Sequence, residues 1–271
     1  MCELLGLSSS APVGMTYALH EFATHGGLVH KNKSGWGIAY RQDRDAILIK
    51  EPSPASDSMW VRFIESHPIN TSTAIAHVRY ATAGEPSYEN THPFTRELGG
   101  RTHVFAHNGG LDNIWQKLSL SPDSFQPIGE TDSEYAFCAL LDRLRPLWRD
   151  PAKPPALDEK MSVISETAAL LRGFGTANFL YSDGDTLVVH AHKRAWEEED
   201  GFSPPRPPGL SMLTATGADL SAHGVRVAST EADIVMTAVA SVPLTENGWE
   251  PLPEGALVAF RHGREVARLH L

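Results

Sequence analysis

The reactive side chain nearest the start of this 271-residue chain is the thiol of Cys2. Removal of Met1, which is common before a small side chain, would make Cys2 the first residue and give it a free α-amine. Such an amine has a pKa of about 7.7–8.0, so near neutral pH it can take the thiol proton directly or through water. Cys2 is therefore a candidate nucleophile that carries its own base. The alternative is a small apolar residue that begins a strand.

Two further segments place polar residues at the ends of apolar runs. In HVRYATAG (77–84), Arg79 leaves a strand-like run before a glycine-containing turn, and its guanidinium suits a bidentate contact with a carboxylate. In AHNGGL (106–111), the Asn108 amide and the Gly109 backbone N–H are donors suited to a developing oxyanion. Each has a simpler interpretation: Arg79 as a surface residue at a strand end, and Asn108-Gly109 as a turn.

A third segment, GETDSE (129–134), stands at the entrance to a long helical pattern. Asp132 can receive an ammonium group there, although capping alone also favours a carboxylate at a helix start. The loop ENTHPFTREL (89–98), just after the arginine segment, can form a pocket wall.

In this order the segments resemble the class II glutamine amidotransferases. Glutaminase domains of that family begin with Cys and carry H-x-R-[YW]-x-T-x-G, a later H-N-G and then T-D-[ST]-E, matched here by 77–84, 107–109 and 131–134. MCELLG, SGWGIAY, ENTHPFTREL and GETDSE are similar to the stand-alone YafJ-like branch in particular, and the resemblance continues through 243–260. One departure is Ala83, where some members carry His.

The resemblance implies an α+β N-terminal nucleophile (Ntn) hydrolase fold. This is a four-layer αββα sandwich of mostly antiparallel sheets, expected here as one glutaminase domain over residues 1–271. It also implies that Cys2 attacks the γ-carboxamide carbon of glutamine and that water then releases glutamate from the thioester, with ammonia as the other product.

The same resemblance assigns roles to five further residues. Asn108 and Gly109 would hold the oxyanion, Arg79 and Asp132 would bind the carboxylate and ammonium ends of the substrate, and Thr82 would help to bind it. No cofactor is implied.

Three functional alternatives stay open at this point. The leaving group can be ammonia, passed to a separate acceptor enzyme because no synthase domain fits in the chain. It can instead be a larger amine from a glutathione-like or other γ-glutamyl compound. Thirdly, the domain can bind a glutamyl ligand or a protein partner without turnover.

No metal site is expected from the histidine pattern. The pairs His103/His107 and His190/His192 can each share one face of a strand, but the spacing supplies no convincing third and fourth ligands. Such pairs more often pack or face solvent.

The elements that must position these residues are strands followed by helices. Period-two apolar runs predict strands at 2–7, 36–40, 46–50, 73–81, 103–108, 177–182, 186–192, 225–230, 233–240, 256–261 and 265–271. Helical periodicity predicts helices around 14–26 and over 133–148 and 159–174, the second of them capped by Thr131 or Asp132. We place Cys138 in the core and the acidic run at 197–200 on the surface.

The composition of the chain limits the classes of binding partner. The net charge of -10 argues against nucleic acid, and no run approaches the ~20 apolar residues of a membrane helix. Small molecules or proteins are the expected partners, and the oligomeric state is left open. The first lysine is Lys31, so no secretory signal is expected, and two cysteines indicate a reducing, cytoplasmic setting.

Overall fold

The structure, a computed structural model, describes residues 1–15, 17–82, 84–217, 219–223, 225–227 and 233–271. Its strands in chain order are β1 (Glu3–Met15), β2 (Trp36–Gln42), β3 (Asp45–Glu51), β4 (Asn70–Val78), β5 (Phe94–Leu98), β6 (Arg101–Leu111), β7 (Gly175–Ser182), β8 (Leu187–His190), β9 (Glu197–Glu198), β10 (Gly201–Phe202), β11 (Ser211–Thr216), β12 (Val225–Val227), β13 (Val235–Ala240), β14 (Glu250–Pro251), β15 (Ala256–Arg261) and β16 (Arg264–His270).

The helices are α1 (Tyr17–His25), α2 (Met59–Ser66), α3 (Ile114–Lys117), α4 (Asp132–Leu144), α5 (Leu157–Arg172) and α6 (Asp219–Ala222). Two short 3-10 helices lie at Ala55–Asp57, just before α2, and at Arg145–Leu147, directly after α4.

Two antiparallel sheets dominate the molecule. The first has the order β14-β11-β13-β1-β4-β2-β3, with β12 paired to the far end of β1. The second has the order β16-β15-β8-β7-β6-β5. A separate β9-β10 hairpin carries the acidic run, whose side chains are exposed as expected.

The two sheets stack face to face between helical layers. Strand β1 shows how the sequence achieves this, because successive side chains of a strand point to opposite faces. Leu5 and Leu7 join the core beneath α1 and α2, whereas Leu4 joins a core shared by the two sheets. A third core, under α4 and α5, contains the aromatic pair Phe105 and Phe137.

Most of the predicted elements are present, with shifted ends. The strand at the N-terminus runs on to Met15, so the first helix is shorter than the predicted 14–26. The predicted helix over 133–148 ends at Leu144, and Pro146 stands within the 3-10 turn that follows. Helix α2 was not predicted. The predicted strand at 225–230 is described only for its first three residues.

The second half contains the expected hairpins. A turn at Asp183-Gly184-Asp185 joins β7 to β8, and His262-Gly263 joins β15 to β16 with both turn residues at positive φ. No helix in the described ranges is long and apolar enough to cross a membrane.

Candidate active site

The thiol of Cys2 lies beside the residues that leave β4. Strands β1 and β4 pair antiparallel with Glu3 opposite Val78, so the start of the chain meets the end of the arginine strand. The Tyr80 N–H donates to Cys2 Sγ at 3.2 Å, and the thiol lies 3.3 Å from the Tyr80 carbonyl oxygen. Burial raises the pKa of Cys2, partly offset by the Tyr80 hydrogen bond, and burial lowers the pKa of the Met1 amine.

Arg79 is a buried arginine, 3% exposed, and not a surface residue at a strand end. Its guanidinium donates to the carbonyl oxygens of Gly84 (2.9 Å), Glu85 (3.2 Å) and Ser34 (3.4 Å). Burial lowers the pKa of Arg79, with the Cys2 thiolate and Glu85 acting in the opposite sense. The loop after β4 is thus built around a positive charge near the thiol.

Asn108 is fully inside strand β6, opposite Asn178 of β7, so its segment is not the turn that Asn-Gly sequences favour. Its Nδ2 donates to Ser241 Oγ at 3.2 Å, and that hydroxyl also accepts from the Leu4 N–H at 3.0 Å. Asn108 Oδ1 has no hydrogen-bond partner among the described residues. Ser241 therefore joins the strand that follows Cys2 to the candidate oxyanion donor across the two sheets.

Gly109 follows at a point where the backbones of β6 and β7 pass too closely for a side chain. A Cβ at position 109 would lie 1.8 Å from the Thr176 carbonyl oxygen. That carbonyl accepts from His107 Nε2 at 3.0 Å, and Thr176 Oγ1 accepts from the Gly110 N–H at 3.1 Å. Glycine at 109 is required by close packing, whichever role its N–H has.

Asp132 is the first residue of α4, and Thr131 is its N-cap. The Thr131 hydroxyl accepts from the Glu134 N–H, which settles the capping choice in favour of Thr131. The Asp132 carboxylate instead accepts from the Leu111 N–H at 2.7 Å and from Ser133 Oγ at 3.1 Å. These bonds tie the start of α4 to the end of β6.

A cleft of about 550 Å³ opens over this region. Three of the predicted site residues, Thr82, Gly109 and Asp132, lie in its wall together with Met1. Arg79, Asn108 and Cys2 are not among the lining residues: Arg79 and Asn108 are buried, and Cys2 is half-buried. Part of the wall comes from residues outside the predicted segments: Asp112, Asn113, Trp115, Gln116, Thr176, Ala195 and Pro205.

Ser241 and Thr176 were not predicted as site residues, because no motif marks either of them. Ser241 simply follows β13, and Thr176 lies near the start of β7, so only the pairing of strands brings them to the site. Ala83, the departure from the family pattern, lies outside the described residues.

Each of the four paired histidines has hydrogen-bond partners within the protein. His103 contacts Tyr181 and Leu98, and His107 contacts Ser133 and Thr176. His190 contacts the Ala177 carbonyl, and His192 Nδ1 accepts from the Ala177 N–H. Burial lowers the pKa values of His103 and His190, to about 4 and about 3. In the described part of the chain, metal-ligand side chains gather elsewhere, at Glu3, His25 and His30.

Cys138 lies within α4 and is fully buried, as predicted, and both cysteines are free thiols. The loop ENTHPFTREL, expected as a pocket wall, contains His92, whose ring centroid lies 4.1 Å from that of His77, the first residue of the arginine segment. It therefore packs behind the site, and none of its residues lines the cleft.

Comparisons with known proteins identify the family. The model of the class II glutamine amidotransferases matches residues 1–270. The protein YafJ of Escherichia coli K12 is 34% identical over 98% of this chain and 100% of its own length. The Saccharomyces cerevisiae protein DUG3 is 27% identical over 88% of this chain and 72% of its own length.

Solved structures agree. The crystal structure of a glutamine amidotransferase homologue from Pseudomonas aeruginosa PA01 is 31% identical, with a TM-score of 0.69 over 98% of this chain and all of that one. The amidotransferase of Bacillus subtilis that acts on phosphoribosylpyrophosphate, 18% identical, has a TM-score of 0.58 over 99% of this chain and 49% of its own. That likeness confirms the Ntn hydrolase fold. The chain belongs to the class II glutamine amidotransferases, an enzyme family.

Proposed function

We propose that this protein hydrolyses the γ-amide of glutamine through a thioester on Cys2. The α-amine of Cys2 takes the thiol proton, and the thiolate attacks the amide carbon. The amine then returns that proton to the leaving nitrogen, ammonia departs, and water cleaves the thioester to release glutamate. Asn108 and Gly109 stabilise the oxyanion in both steps.

The observation that carries this proposal is the link from Cys2 to Asn108. The hydroxyl of Ser241 contacts both the Leu4 N–H, two residues after the thiol, and the Asn108 side chain. Rotating the Asn108 amide by half a turn would let Oδ1 accept the Ser241 hydroxyl proton and would place Nδ2, a donor, where the unpartnered Oδ1 now lies. The Asn108 Oδ1 atom and the Ser241 hydroxyl would then be hydrogen-bonded to each other, and Asn108 Nδ2 would be free to donate to the oxyanion.

The ammonium and carboxylate groups of the substrate match two charged side chains of the site. Asp132 lies in the wall of the cleft, where its carboxylate can bind the substrate ammonium group, and Thr82 is on the same wall. The Arg79 guanidinium would bind the substrate carboxylate after exchanging part of its contacts with the carbonyl oxygens of Gly84 and Glu85. The cleft would thus hold the glutamyl group between opposite charges.

Processing of Met1 is a requirement of this mechanism. Met1 lines the cleft, and its amine, not that of Cys2, is the free one while Met1 is present. We expect the protein from its native host to lack Met1, as measured by intact mass.

The test is glutamate release by trimmed protein. Cys2→Ser and Cys2→Ala are expected to abolish it, whereas Cys138→Ala, which removes the other free thiol, is expected to retain it. A form that keeps Met1, or carries an N-terminal tag, should be inactive. Equal turnover by the tagged and trimmed forms would refute the mechanism.

A second candidate is hydrolysis of a γ-glutamyl amide with a larger amine. It is favoured by a smaller cavity of about 110 Å³, lined by Glu3, Arg194 and Trp196 among others, which shares Met1 with the main cleft. Met1 lines both cavities, so its loss would join the two spaces, and about 110 Å³ exceeds the ~30 Å³ of one water-sized product. Comparing kcat/KM for glutamine with γ-glutamyl amides of increasing amine size decides between the candidates.

We further propose that residues 1–271 form one domain acting in the cytoplasm on this small-molecule substrate. The family match over 1–270 supports the extent of the domain, and the two free thiols support a reducing compartment. If the leaving group is ammonia, a separate enzyme would consume it. A role in binding without turnover is opposed by the presence of a candidate nucleophile, Cys2, and of a candidate oxyanion donor, Gly109, in addition to the binding residues Thr82 and Asp132.

A further inference from the structure

A buried cluster of ligand-type side chains lies on the other face of the strand that begins after Cys2. Glu3 is 1% exposed, and its carboxylate lies among side chains of the segment that follows α1. His25 Nδ1 lies 2.7 Å from Glu3 Oε2, and His30 Nδ1 lies 2.6 Å from Oε1. One oxygen and two nitrogen ligand atoms of this cluster lie within 4.8 Å of one another.

The fold positions these three side chains rigidly. Glu3 lies in β1, paired with Val78 in the interior of the first sheet. His25 ends α1, and a backbone bridge between Gly26 and Lys31 closes the turn that returns His30 to the same carboxylate. The histidine rings lie 4.5 Å apart between centroids.

We propose that Glu3, His25 and His30 bind a divalent transition-metal ion of the zinc type. One carboxylate oxygen with two imidazole nitrogens is a ligand set that zinc accepts, at about 2.0–2.2 Å per bond. Ligand atoms around tetrahedral zinc lie about 3.3 Å apart, which follows from those bond lengths. The two imidazole nitrogens contact different oxygens of the Glu3 carboxylate, His30 Nδ1 at 2.6 Å from Oε1 and His25 Nδ1 at 2.7 Å from Oε2. Each of these nitrogen-to-oxygen distances would lengthen by about 0.6–0.7 Å when an ion enters between the two rings and the carboxylate.

Asn32 provides a second, independent observation. It is fully buried, its Nδ2 donates to Glu3 Oε1 at 3.1 Å, and its Oδ1 has no partner among the residues that the structure describes. A buried acceptor without a donor carries a desolvation cost. An ion held by Glu3 and His30 would attract that oxygen, and rotation of the amide would exchange the Nδ2 bond to Glu3 for a partner at Oδ1.

An open coordination position is available as well. The cavity of about 110 Å³ is lined by both Glu3 and His30, so it has room for water on the ion. The charges around the cavity are balanced: Arg194 lies in its wall, and so does Glu197, which pairs with Lys31 at 3.4 Å. Arg194 donates to the Ser241 carbonyl at 2.7 Å, and its charge also interacts with the Glu3 carboxylate.

The ion would hold the beginning of β1 against the turn after α1. The proposal concerns binding and does not depend on the proposed glutaminase activity, so either can fail alone. Because Cys2 precedes Glu3 directly, the ion would also fix the strand that carries the nucleophile.

The test measures metal content and affinity of the full chain with Zn²⁺ as the probe. After equilibrium dialysis, the unmodified protein should retain one zinc per chain by elemental analysis. His30→Ala, the variant at the most accessible ligand, should bind Zn²⁺ at least tenfold more weakly, and Glu3→Gln should bind it more weakly still. Co²⁺ in place of Zn²⁺ should give visible absorption bands that His30→Ala changes.

Two controls separate this site from other ligands. His20→Ala removes a neighbouring histidine of α1, and Cys2→Ser removes the thiol; both should keep the zinc. Circular dichroism verifies that each variant is folded, and His30→Ala keeps the test valid if Glu3→Gln does not fold. Absence of zinc from the dialysed protein, or unchanged affinity in His30→Ala, would overturn the proposal, and the cluster would then hold protons alone.

Discussion

Asn108→Ala is the substitution that most directly examines the proposed mechanism. Asn108 is 1% exposed, and its amide bonds the Ser241 hydroxyl at 3.2 Å. Loss of one neutral hydrogen bond of this kind costs about 1 kcal/mol of folding free energy. Loss of an oxyanion donor costs about 2.7–4 kcal/mol of transition-state stabilisation, or ~10²–10³ in kcat.

The two magnitudes predict different outcomes in two assays. Glutamate release by trimmed protein should show kcat reduced by ~10²–10³ with KM nearly unchanged, because the donor acts on charge that exists only in the transition state. Urea unfolding should show a loss of only about 1 kcal/mol. Ser241→Ala should reduce kcat by a smaller factor, about tenfold, because it removes the group that orients the amide but not the amide.

A matched control is Asn70→Ala, an exposed asparagine at the first position of β4. It should change neither kcat nor KM. The reasoning is refuted if Asn108→Ala lowers kcat less than tenfold, or if its effect appears mainly in KM, since Asn108 would then bind substrate and transition state alike.

Three further predictions concern Arg79, the close approach of β6 and β7 at Gly109, and the buried ion pair of Lys160 and Asp183. Arg79→Lys should raise KM at least tenfold with a smaller change in kcat, measured by initial rates, because an ammonium cannot replace a bidentate guanidinium. Gly109→Ala should prevent accumulation of folded protein in an expression and circular dichroism test, because its Cβ would meet the Thr176 carbonyl. Lys160→Met should cost about 3–5 kcal/mol in urea unfolding, because it leaves the fully buried Asp183 carboxylate without its ion-pair partner. Burial opposes ionisation, but Lys160 holds the pKa of Asp183 below its ordinary 3.8, so its stabilisation is present above about pH 4 and lost as the pH falls further. Asp183→Asn should reduce this loss of stability at low pH, measured as the free energy of unfolding at a series of pH values.

Strand and helix patterns were predictable where the apolar residues recur with a regular period. Helices α4 and α5 bury residues in the core that lies under them, and strands β6, β7 and β15 bury one face in that core and the other in the core between the two sheets. The first helix was misplaced because β1 is 13 residues long and continues past the point where its alternation ends. The Asn-Gly pair at 108–109 was open to interpretation as a turn, because its strand conformation depends on pairing with β7.

The chemistry of the candidate residues was readable from the sequence, but their distances were not. Cys2, Arg79, Asn108 and Asp132 have side chains whose roles follow from residue type and order. The cluster of Glu3, His25 and His30 was not predicted. The two histidines are 22 and 27 residues from Glu3 in the sequence, a spacing that matches no ligand motif.

By itself, then, the sequence determined the reactive groups and the family, since four short motifs in a fixed order specify both. Only the tertiary structure decided which groups meet. Pairing of β1 with β4 brings Tyr80 to the Cys2 thiol, and stacking of the two sheets lets Ser241 reach Asn108. Contacts between residues 78 and 133 positions apart exist because sheet pairing and core burial join strands without regard to their distance along the chain.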